Sequence, residues 1–184
     1  SIRTFQVYES LNVNFSVPPS QCITNNSFDF EGEGDYQSGS VFEWNFGNNA
    51  SPSIVNTEDV SGVVFDTNGY IPVTYTVNQD QCDDTYTDSV FVYQEPEVNF
   101  GIEPGLYCAP FTAEFIDSSL SDAPLNYFWD FGDGNTSIES DPTHIYENPG
   151  VYDVSLSIST NEGCTANLTM NKPGLIQVFP SPIA

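Results

Sequence analysis

The residues whose types could do chemistry are acidic side chains crowded into turn-rich stretches. Residues 127–136 read YFWDFGDGNT, which places Asp130 and Asp133 beside two glycines. Dense carboxylates are the ligands that Ca²⁺ prefers, and a pair of carboxylates also provides the acid and base of glycoside hydrolysis. The stretch is therefore either a metal or catalytic acid cluster, or a tight turn beside a buried tryptophan.

An imperfect second copy of this stretch favours the turn. Residues 41–49 read VFEWNFGNN, in which Asn45 and Asn48 replace Asp130 and Asp133. Asparagine keeps an oxygen that accepts hydrogen bonds from turn amides, but it removes the negative charge. A metal site or a general acid would suffer from that exchange, whereas a turn would not.

Strand periodicity assigns the aromatic residues of both copies to a core. Residues two positions apart in a strand share a face, so the tryptophan and the following phenylalanine point inward together. The glycines supply permissive backbone for a hairpin turn, and the acid between them accepts hydrogen bonds from backbone amides. The predicted core and turn residues are Trp44, Phe46, Trp129, Phe131, Gly132, Asp133 and Gly134.

Two acidic loops ahead of the tryptophan strands are candidates for a calcium site, and calcium is the only candidate cofactor. Calcium takes about six to eight oxygen ligands, so one short loop supplies only part of the shell. Neither loop has a D-x-D-G pattern, and a solvated turn is the preferred interpretation of each. The candidate ligands are Glu31, Glu33, Asp35, Asp117 and Asp122.

The elements that must position these residues occur twice. At a lag of about 85 residues, VNFSV from Val13 matches VNFGI from Val98, and Trp44 matches Trp129. Such self-similarity is the mark of repeat architecture. The predicted organisation is the last strand of a preceding repeat at residues 1–9, one domain at 10–94, a second at 95–180, and the start of a next repeat at 181–184.

Composition and periodicity predict an all-β chain of two tandem β-sandwiches with about seven strands each; the resemblance described below implies that they are Ig-like. Aromatic residues make up 14% of the chain. The best apolar runs alternate with a period of two, as at Val73, Tyr75 and Val77, between clusters of turn-forming residues. No stretch is long and apolar enough to cross a membrane, so no direct membrane insertion is expected.

The charge balance excludes two classes of partner. Lys and Arg number 2 against 26 Asp and Glu, a formal net charge of −24. Nucleic acids and anionic membrane surfaces are bound through clustered basic residues, which this chain lacks. Such a surface favours cations, solubility and mutual repulsion between neighbouring units.

Four cysteines occur as one pair per copy at matched places, which predicts the intradomain disulfides Cys22–Cys82 and Cys108–Cys164. Closing each loop would stabilise a unit by about 4 kcal/mol. A zinc site needs more closely spaced ligands, and the chain has 1 histidine. Disulfides indicate an oxidising, extracytoplasmic location.

No catalytic residues are predicted, and the chain is not expected to be an enzyme. His144 alternates with Ile145 and Tyr146 on a strand that enters a turn, which indicates packing or hydrogen bonding. Nucleophilic mechanisms need a base beside the nucleophile, and no second histidine exists to support one. No single carboxylate pair stands out among the acids.

The second copy resembles the PKD domain, an Ig-like β-sandwich. The resemblance is carried by WDFGDG, by PTHIY from Pro142 and by PGVYDVSL from Pro149. The first copy, with WNFGNN and no PTHxY, is matched through the internal alignment. A cysteine after the first strand and the dipeptide Gly163–Cys164 are similar to repeats in large surface adhesins of gliding or marine Bacteroidetes, which the type IX system exports.

This resemblance implies a non-catalytic extracellular module in the repeat stalk of a cell-surface adhesin involved in gliding motility. Its expected partners are neighbouring repeats of the same chain and a polysaccharide or another cell-surface ligand. The alternative is a carbohydrate-binding accessory module of a secreted hydrolase, which predicts a planar patch of exposed aromatic residues. An enzyme in its own right is the third hypothesis.

Overall fold

The computed structural model describes residues 11–79, 82–103, 105–164 and 167–182. The chain divides into two compact units, residues 1–94 and 95–184. All regular elements of the described ranges are β-strands, which confirms the predicted all-β class. The strand predicted at residues 1–9 and the last two residues of the segment predicted to begin a next repeat lie outside the described residues. Within those same ranges, no helix has the length and apolar character needed to cross a membrane.

The first unit contains ten strands in its described part. These are β1 Val13–Phe15, β2 Gln21–Cys22, β3 Phe28–Phe30, β4 Gly32–Gly34, β5 Val41–Asn45, β6 Ala50–Ser51, β7 Ile54–Val55, β8 Val60–Phe65, β9 Gly69–Gln79 and β10 Cys82–Tyr93. A five-stranded sheet has the order β2-β10-β9-β5-β7, a three-stranded sheet has the order β3-β8-β6, and β1 pairs with β4.

The second unit repeats this plan with eight strands in its described part. These are β11 Phe100–Ile102, β12 Tyr107–Cys108, β13 Phe111–Asp117, β14 Asn126–Asp130, β15 Thr136–Ser137, β16 Thr143–Tyr146, β17 Gly150–Ser159 and β18 Asn167–Phe179. A five-stranded sheet has the order β12-β18-β17-β14-β15, and a three-stranded sheet has the order β11-β13-β16. In both units the outermost strands of the five-stranded sheet are two residues long.

Alternation of buried and exposed residues places a core inside each unit. On β9, Val73, Tyr75 and Val77 are fully buried while the residues between them are not. Trp44 stacks on Tyr75 with ring centroids 4.1 Å apart. In the second unit Trp129 packs edge-on against Phe100 at 5.0 Å. Both tryptophans are completely buried, so each anchors the core of its own unit.

The first unit exceeds the expected seven strands partly because one strand is split. In the second unit β13 runs unbroken and pairs with both β11 and β16. In the first unit the chain changes partner at Glu31, so that β3 pairs with β8 and β4 pairs with β1. A side chain at Gly32 would place its Cβ 2.3 Å from the Tyr75 hydroxyl, so glycine is needed where the strand breaks.

The predicted intradomain disulfides are wrong, because each unit holds its two cysteines at opposite ends of its longest strands. Cys22 lies beside Tyr93 at the end of β10, whereas Cys82 begins that strand. At about 3.3 Å per residue, the strand separates them by roughly 36 Å, far beyond the 7 Å or so that a disulfide allows between Cα atoms. Neither predicted pair is formed.

The second unit has the same arrangement. Cys108 lies beside Phe179, the last residue of β18, whereas Cys164 precedes the start of that strand. Cys82 and Cys108 are free thiols, and Cys22 and Cys164 are disulfide-bonded. A disulfide is typical of an oxidising compartment, so that part of the expectation stands.

Candidate functional site

The acids of the WDFGDG stretch are hydrogen-bond acceptors of a turn. Asp130 Oδ1 accepts a hydrogen bond from the Gly132 amide at 2.9 Å, and Asp133 Oδ1 accepts one from the Asn135 amide at 3.0 Å. The Phe131 amide donates to the Asn135 carbonyl at 3.1 Å, which closes the loop. The two carboxylates are thus used by the backbone around them.

Asp133 also pairs with the single histidine of the chain. His144 Nε2 lies 2.8 Å from Asp133 Oδ2, and the two side chains are only 13% and 17% exposed. The imidazole stacks flat on Phe131, with ring centroids 4.2 Å apart. Burial alone would raise the pKa of Asp133, but hydrogen bonds from His144 and Asn135 outweigh it and hold that pKa below its ordinary value.

This pair has no equivalent in the first unit. In the second unit His144 lies opposite Ala113 on the neighbouring strand. In the first unit the corresponding residue, opposite Phe28, is the fully buried Val63. A hydrogen-bonded pair confined to one of two like units, with its imidazole stacked on a core ring, has a structural role. Sequence alternation predicted packing or hydrogen bonding for His144. It did not identify the partner, because Asp133 lies on another segment of the chain.

Gly132 supplies a backbone conformation and a space that other residues cannot. Its φ is +78°, and an added Cβ would lie 2.2 Å from the Asp153 carbonyl oxygen. Gly47, its counterpart, has a φ of +81° but open space around the Cβ position. The two turns therefore share a conformation and differ in how tightly the neighbouring strand approaches.

The first-unit candidates for calcium lie on an exposed surface. Glu31, Glu33 and Asp35 are all exposed. Glu33 accepts a hydrogen bond from the Ser16 hydroxyl at 3.0 Å. Across the described part of the chain, none of these carboxylates belongs to a group of three or more clustered carboxylate, thiol or imidazole ligands.

The second-unit candidates behave in the same way. Asp117 Oδ1 accepts a hydrogen bond from the Ser119 amide at 3.0 Å, and the Asp117 amide donates to Asp141 at 2.8 Å. Burial and the charge of Asp117 raise the pKa of Tyr127. Neither Asp117 nor the exposed Asp122 joins a cluster of three such ligands among the described residues. The candidate acids therefore do not converge on one point, as a calcium shell requires.

Exposed aromatic residues form a different candidate site on the outer face of the first unit. Tyr70 on β9 is 79% exposed and lies opposite Phe91 on β10, with ring centroids 4.7 Å apart. Phe91 contacts Tyr93 at 4.8 Å. These three residues are called the aromatic row. Their rings are tilted by 57° and 85° to one another, so the row is not the planar patch predicted for a carbohydrate-binding module.

An open groove adjoins the Tyr70 ring. It has a volume of about 270 Å³ and is lined by uncharged residues of the turn, the β8–β9 connection and the start of β9, among them the apolar Phe46, Ile71 and Pro72. Asn48, Asn49 and Asn68 are exposed there, beside Thr67 and Tyr70. Amide groups donate and accept hydrogen bonds, and a tyrosine face supplies apolar contact. The residues at this groove, called the Tyr70 groove, suit a neutral ligand with many hydroxyl groups.

The second unit lacks this groove chemistry. Val151, which follows the strand-opening Gly150, occupies the position of Tyr70 and is 64% exposed. Asp133 occupies the position of Asn48 and is engaged with His144. The groove is therefore found in the unit that has Asn48 at this position, and not in the unit that has Asp133. Sequence reasoning gave no sign that these asparagines would lie beside Tyr70.

The family profile described as PKD domain matches residues 95–172. These residues lie within the second unit, which therefore contains a PKD domain. This confirms the resemblance carried by WDFGDG and PTHIY.

Curated relatives match short stretches of the chain. A microbial collagenase of Vibrio alginolyticus is 51% identical over 45 residues, and collagenase ColA of Bacillus cereus is 46% identical over 39 residues. The stretches cover 24% and 21% of this chain, but only 6% and 4% of those proteins. The chain thus spans a small fraction of the length of the curated relatives it matches.

Solved structures share the fold at low sequence identity. An I-band fragment of titin has a TM-score of 0.55 at 12% identity, over 91% of this chain and 66% of the fragment. The ectodomain of mouse nectin-like molecule 4 has a TM-score of 0.55 at 10% identity, over 96% of this chain and 66% of that chain. These likenesses show the fold alone, and they confirm the predicted Ig-like sandwiches.

Proposed function

We propose that this chain is a non-catalytic, extracellular accessory region of a secreted hydrolase, and that its first unit binds an uncharged polysaccharide. The Tyr70 groove carries this proposal, because it combines one exposed aromatic face with three amide side chains and lacks charged groups. Its neutrality stands out in a chain with a net charge of −24. Binding sites of this composition fix a ligand by a few polar groups and one apolar face.

The curated relatives support the accessory role. Two of them are named collagenases, and another is a metalloprotease of Vibrio cholerae. The matched stretches are a few per cent of each relative, as expected for a module that accompanies a separate catalytic part.

The test is retention on insoluble polymers. The chain is mixed with a panel of insoluble neutral polysaccharides and, separately, with insoluble collagen, and the unbound fraction is measured. We expect retention on at least one polysaccharide, with little dependence on salt because the groove is uncharged. Retention on collagen alone would overturn the ligand class while leaving an accessory role, and failure to bind either polymer would overturn the proposal.

Two variants locate the binding surface. Tyr70→Ala removes the exposed ring, and we expect affinity to fall by about tenfold or more, as for aromatic residues at the centre of a binding site. Val151→Ala is the matched control, because it truncates the exposed side chain at the same position of the second unit. Equal binding by Tyr70→Ala and the unaltered chain would contradict the assignment of the groove.

A second candidate function is a repeat of the stalk of a surface adhesin. The observation that favours it is the occurrence of two like units in succession. A stalk requires restricted angles between its units, so small-angle scattering that fits freely reorienting units would contradict it. Polysaccharide retention that depends on Tyr70 would favour the accessory module.

A further inference from the structure

The long strand β18 of the second unit has an edge that is covered only at one end. β12 pairs with this edge in parallel at Val178 and Phe179. No other described strand pairs with β18 on that side, so the backbone amides and carbonyls of residues 167–172 have no strand partner there. Such a row of unpaired groups is a template for one more strand.

The first unit protects the equivalent edge of β10 with carboxylates. The Tyr93 carbonyl accepts a hydrogen bond on this edge, and backbone groups alternate along a strand without a register shift, so the Thr85 and Ser89 amides face the same way. The Thr85 amide donates to Asp84 Oδ1 at 2.9 Å. The Ser89 amide donates to Asp88 Oδ1 at 2.7 Å. Two donors of this edge are therefore already bonded.

One of these carboxylates also holds the strand that opens the first unit. The Val13 amide of β1 donates to Asp84 Oδ2 at 3.1 Å. The Phe15 ring of β1 packs edge-on against Tyr86 of β10, with ring centroids 5.2 Å apart. The start of β10 is thus tied to β1 through side chains, and its two acids repel a second acidic chain.

The edge of β18 lacks these acids. The registers of the two long hairpins put Leu168 at the place of Asp84 and Lys172 at the place of Asp88. Neither a leucine nor a lysine side chain can accept a hydrogen bond from an amide. Lys172 instead donates to the Phe100 carbonyl and lies over the Phe100 ring. The amides of β18 are therefore not occupied in the way that those of β10 are.

The side chains along this edge complement a second copy of themselves. Residues 167–172 read NLTMNK and contain none of the 26 acids of the chain. Leu168 and Met170 are half-buried at the margin of the core, while Asn167, Thr169 and Asn171 are exposed on the outer face. In an antiparallel pair centred on Thr169, Leu168 of each copy lies beside Met170 of the other, and each asparagine lies beside an asparagine.

We propose that β18 is a surface for self-association, on which β18 of a second copy of this chain adds as an antiparallel strand. The pairing joins the five-stranded sheets of the two second units into one sheet about a two-fold axis. The occupant is a second copy because the seam is free of carboxylates, whereas a net charge of −24 makes most other surfaces of two chains repel each other. This inference does not rest on polysaccharide binding.

The overlap of the two strands is short. Thr169 occupies the place of Thr85, so its amide and carbonyl face the edge, as do those of Asn167 and Asn171. Pairing these residues across the axis forms about six backbone hydrogen bonds. β12 covers the other end of β18 and leaves this overlap clear. Because the two-fold axis uses the same edge of both copies, association stops at a dimer.

The first measurement is sedimentation equilibrium of the whole chain over a range of concentrations. Cys82→Ser and Cys108→Ser are present throughout, so that the free thiols cannot form disulfide-linked dimers. We expect a monomer–dimer equilibrium whose dissociation constant falls severalfold when salt is added, because salt screens the repulsion between two strongly acidic chains. A chain that remains monomeric at every concentration and salt level would overturn the proposal.

The second measurement exchanges charge at the centre of the seam. Because Thr169 faces itself across the axis, Thr169→Asp and Thr169→Lys each bring two like charges together, and we expect either variant alone to dimerise about fivefold more weakly. An equimolar mixture brings opposite charges together, so the mixed dimer should exceed both same-variant dimers by about fivefold in native mass spectrometry. Mixing cannot repair a variant that has simply lost its structure.

Thr85→Asp and Thr85→Lys are the matched controls. Thr85 is exposed at the same place on β10, and its hydroxyl lies 3.1 Å from that of Thr76, as the Thr169 hydroxyl lies 2.7 Å from that of Ser157. We expect both control variants to dimerise like the unaltered chain. A dimer that is insensitive to the Thr169 variants, a mixture that forms no excess of mixed dimer, or equal effects of the Thr85 variants would each overturn the proposal.

Discussion

In both units the residue after the buried tryptophan caps the turn through a side-chain oxygen. Asn45 Oδ1 accepts a hydrogen bond from the Gly47 amide at 3.0 Å, and Asp130 Oδ1 accepts one from the Gly132 amide at 2.9 Å. An amide and a carboxylate thus perform the same local task. The turn requires an oxygen acceptor and does not require a charge.

The surroundings of the two turns differ far more than the turns themselves. In the second unit, Asp133 pairs with His144, and the Asp153 carbonyl closes over Gly132. In the first unit the corresponding space is open, and Asn48 lines the Tyr70 groove. The same turn is therefore enclosed by neighbouring residues in the second unit and accessible to solvent in the first. Four sets of substitutions test this contrast.

The largest effect is expected from replacing the turn glycines. Gly132→Ala should destabilise the second unit by roughly 3–4 kcal/mol, because a left-handed alanine is strained and its methyl group collides with backbone. Gly47→Ala should cost the first unit only about 1–2 kcal/mol, since conformational strain acts there without a collision. Equal losses would show that the tighter enclosure of Gly132 has no energetic weight.

Each unit carries one tryptophan, which permits separate measurement. Urea unfolding is followed by tryptophan fluorescence in a Trp44→Phe background to report the second unit through Trp129. A Trp129→Phe background reports the first unit through Trp44. The glycine variants are compared with their own background, so the cost of the tryptophan change cancels.

The next largest effect is expected at a buried tyrosine of the second unit. The Tyr146 hydroxyl donates to the Phe131 carbonyl at 3.0 Å in the core. Tyr146→Phe should lower the free energy of unfolding by about 1–3 kcal/mol, because it leaves that carbonyl buried without its donor. Tyr152→Phe is the control, since its exposed bond to the Asn148 carbonyl should be worth less than about 0.5 kcal/mol. Similar losses for both variants would refute the distinction.

A smaller, pH-dependent effect is expected at the hydrogen-bonded pair of Asp133 and His144. The pKa of Asp133 is lower in the folded state, so its charge stabilises the second unit above the ordinary carboxyl pKa. That contribution is lost as the pH falls through the folded value. Asp133→Asn should lower the free energy of unfolding of the second unit at neutral pH by less than about 1 kcal/mol, and its melting temperature accordingly. The variant's melting temperature should also depend less on pH in the acidic range. The first unit, with Asn48 at this position, should be unaffected.

The check is a series of thermal melts between neutral and acidic pH, monitored through Trp129. The variant and the unaltered chain should differ most at neutral pH and converge as Asp133 becomes protonated. A constant difference at all pH values would assign the effect to packing and not to charge.

The smallest effect is expected from exchanging the capping residues. Asp130→Asn and Asn45→Asp both preserve the oxygen that accepts the glycine amide. We expect either change to alter unfolding free energy by less than about 0.5 kcal/mol, as for exposed positions away from special contacts. A larger loss in Asp130→Asn, seen by urea unfolding, would show that the charge itself supports the turn.

Local patterns predicted the inward-facing residues well, because strand alternation depends on neighbours in sequence. Trp129 and Phe131 lie in the core as their spacing indicates, and the acids beside them bond to turn amides. The all-β class and the sandwich followed from the same alternation and from the repeat, and the Ig-like type followed from the resemblance to the PKD domain.

Long-range pairing could not be obtained in this way. Matched cysteine positions suggested a bond within each unit, but the direction of the strands places Cys22 and Cys82 at opposite ends of one sheet. The partner of His144 was invisible for the same reason, because Asp133 lies on a separate segment. The Tyr70 groove depends on how a turn and a strand connection approach, which spacing does not encode.

The very short outer strands of each five-stranded sheet leave most of a long strand uncovered. β2 pairs with β10 only at Val92 and Tyr93, and β12 pairs with β18 only at Val178 and Phe179. Along the rest of β10 and β18, no described strand pairs with this edge, so the amides and carbonyls left unbonded there can accept an added strand. A newly synthesised chain with several such units would therefore risk strand exchange between neighbours while each unit folds.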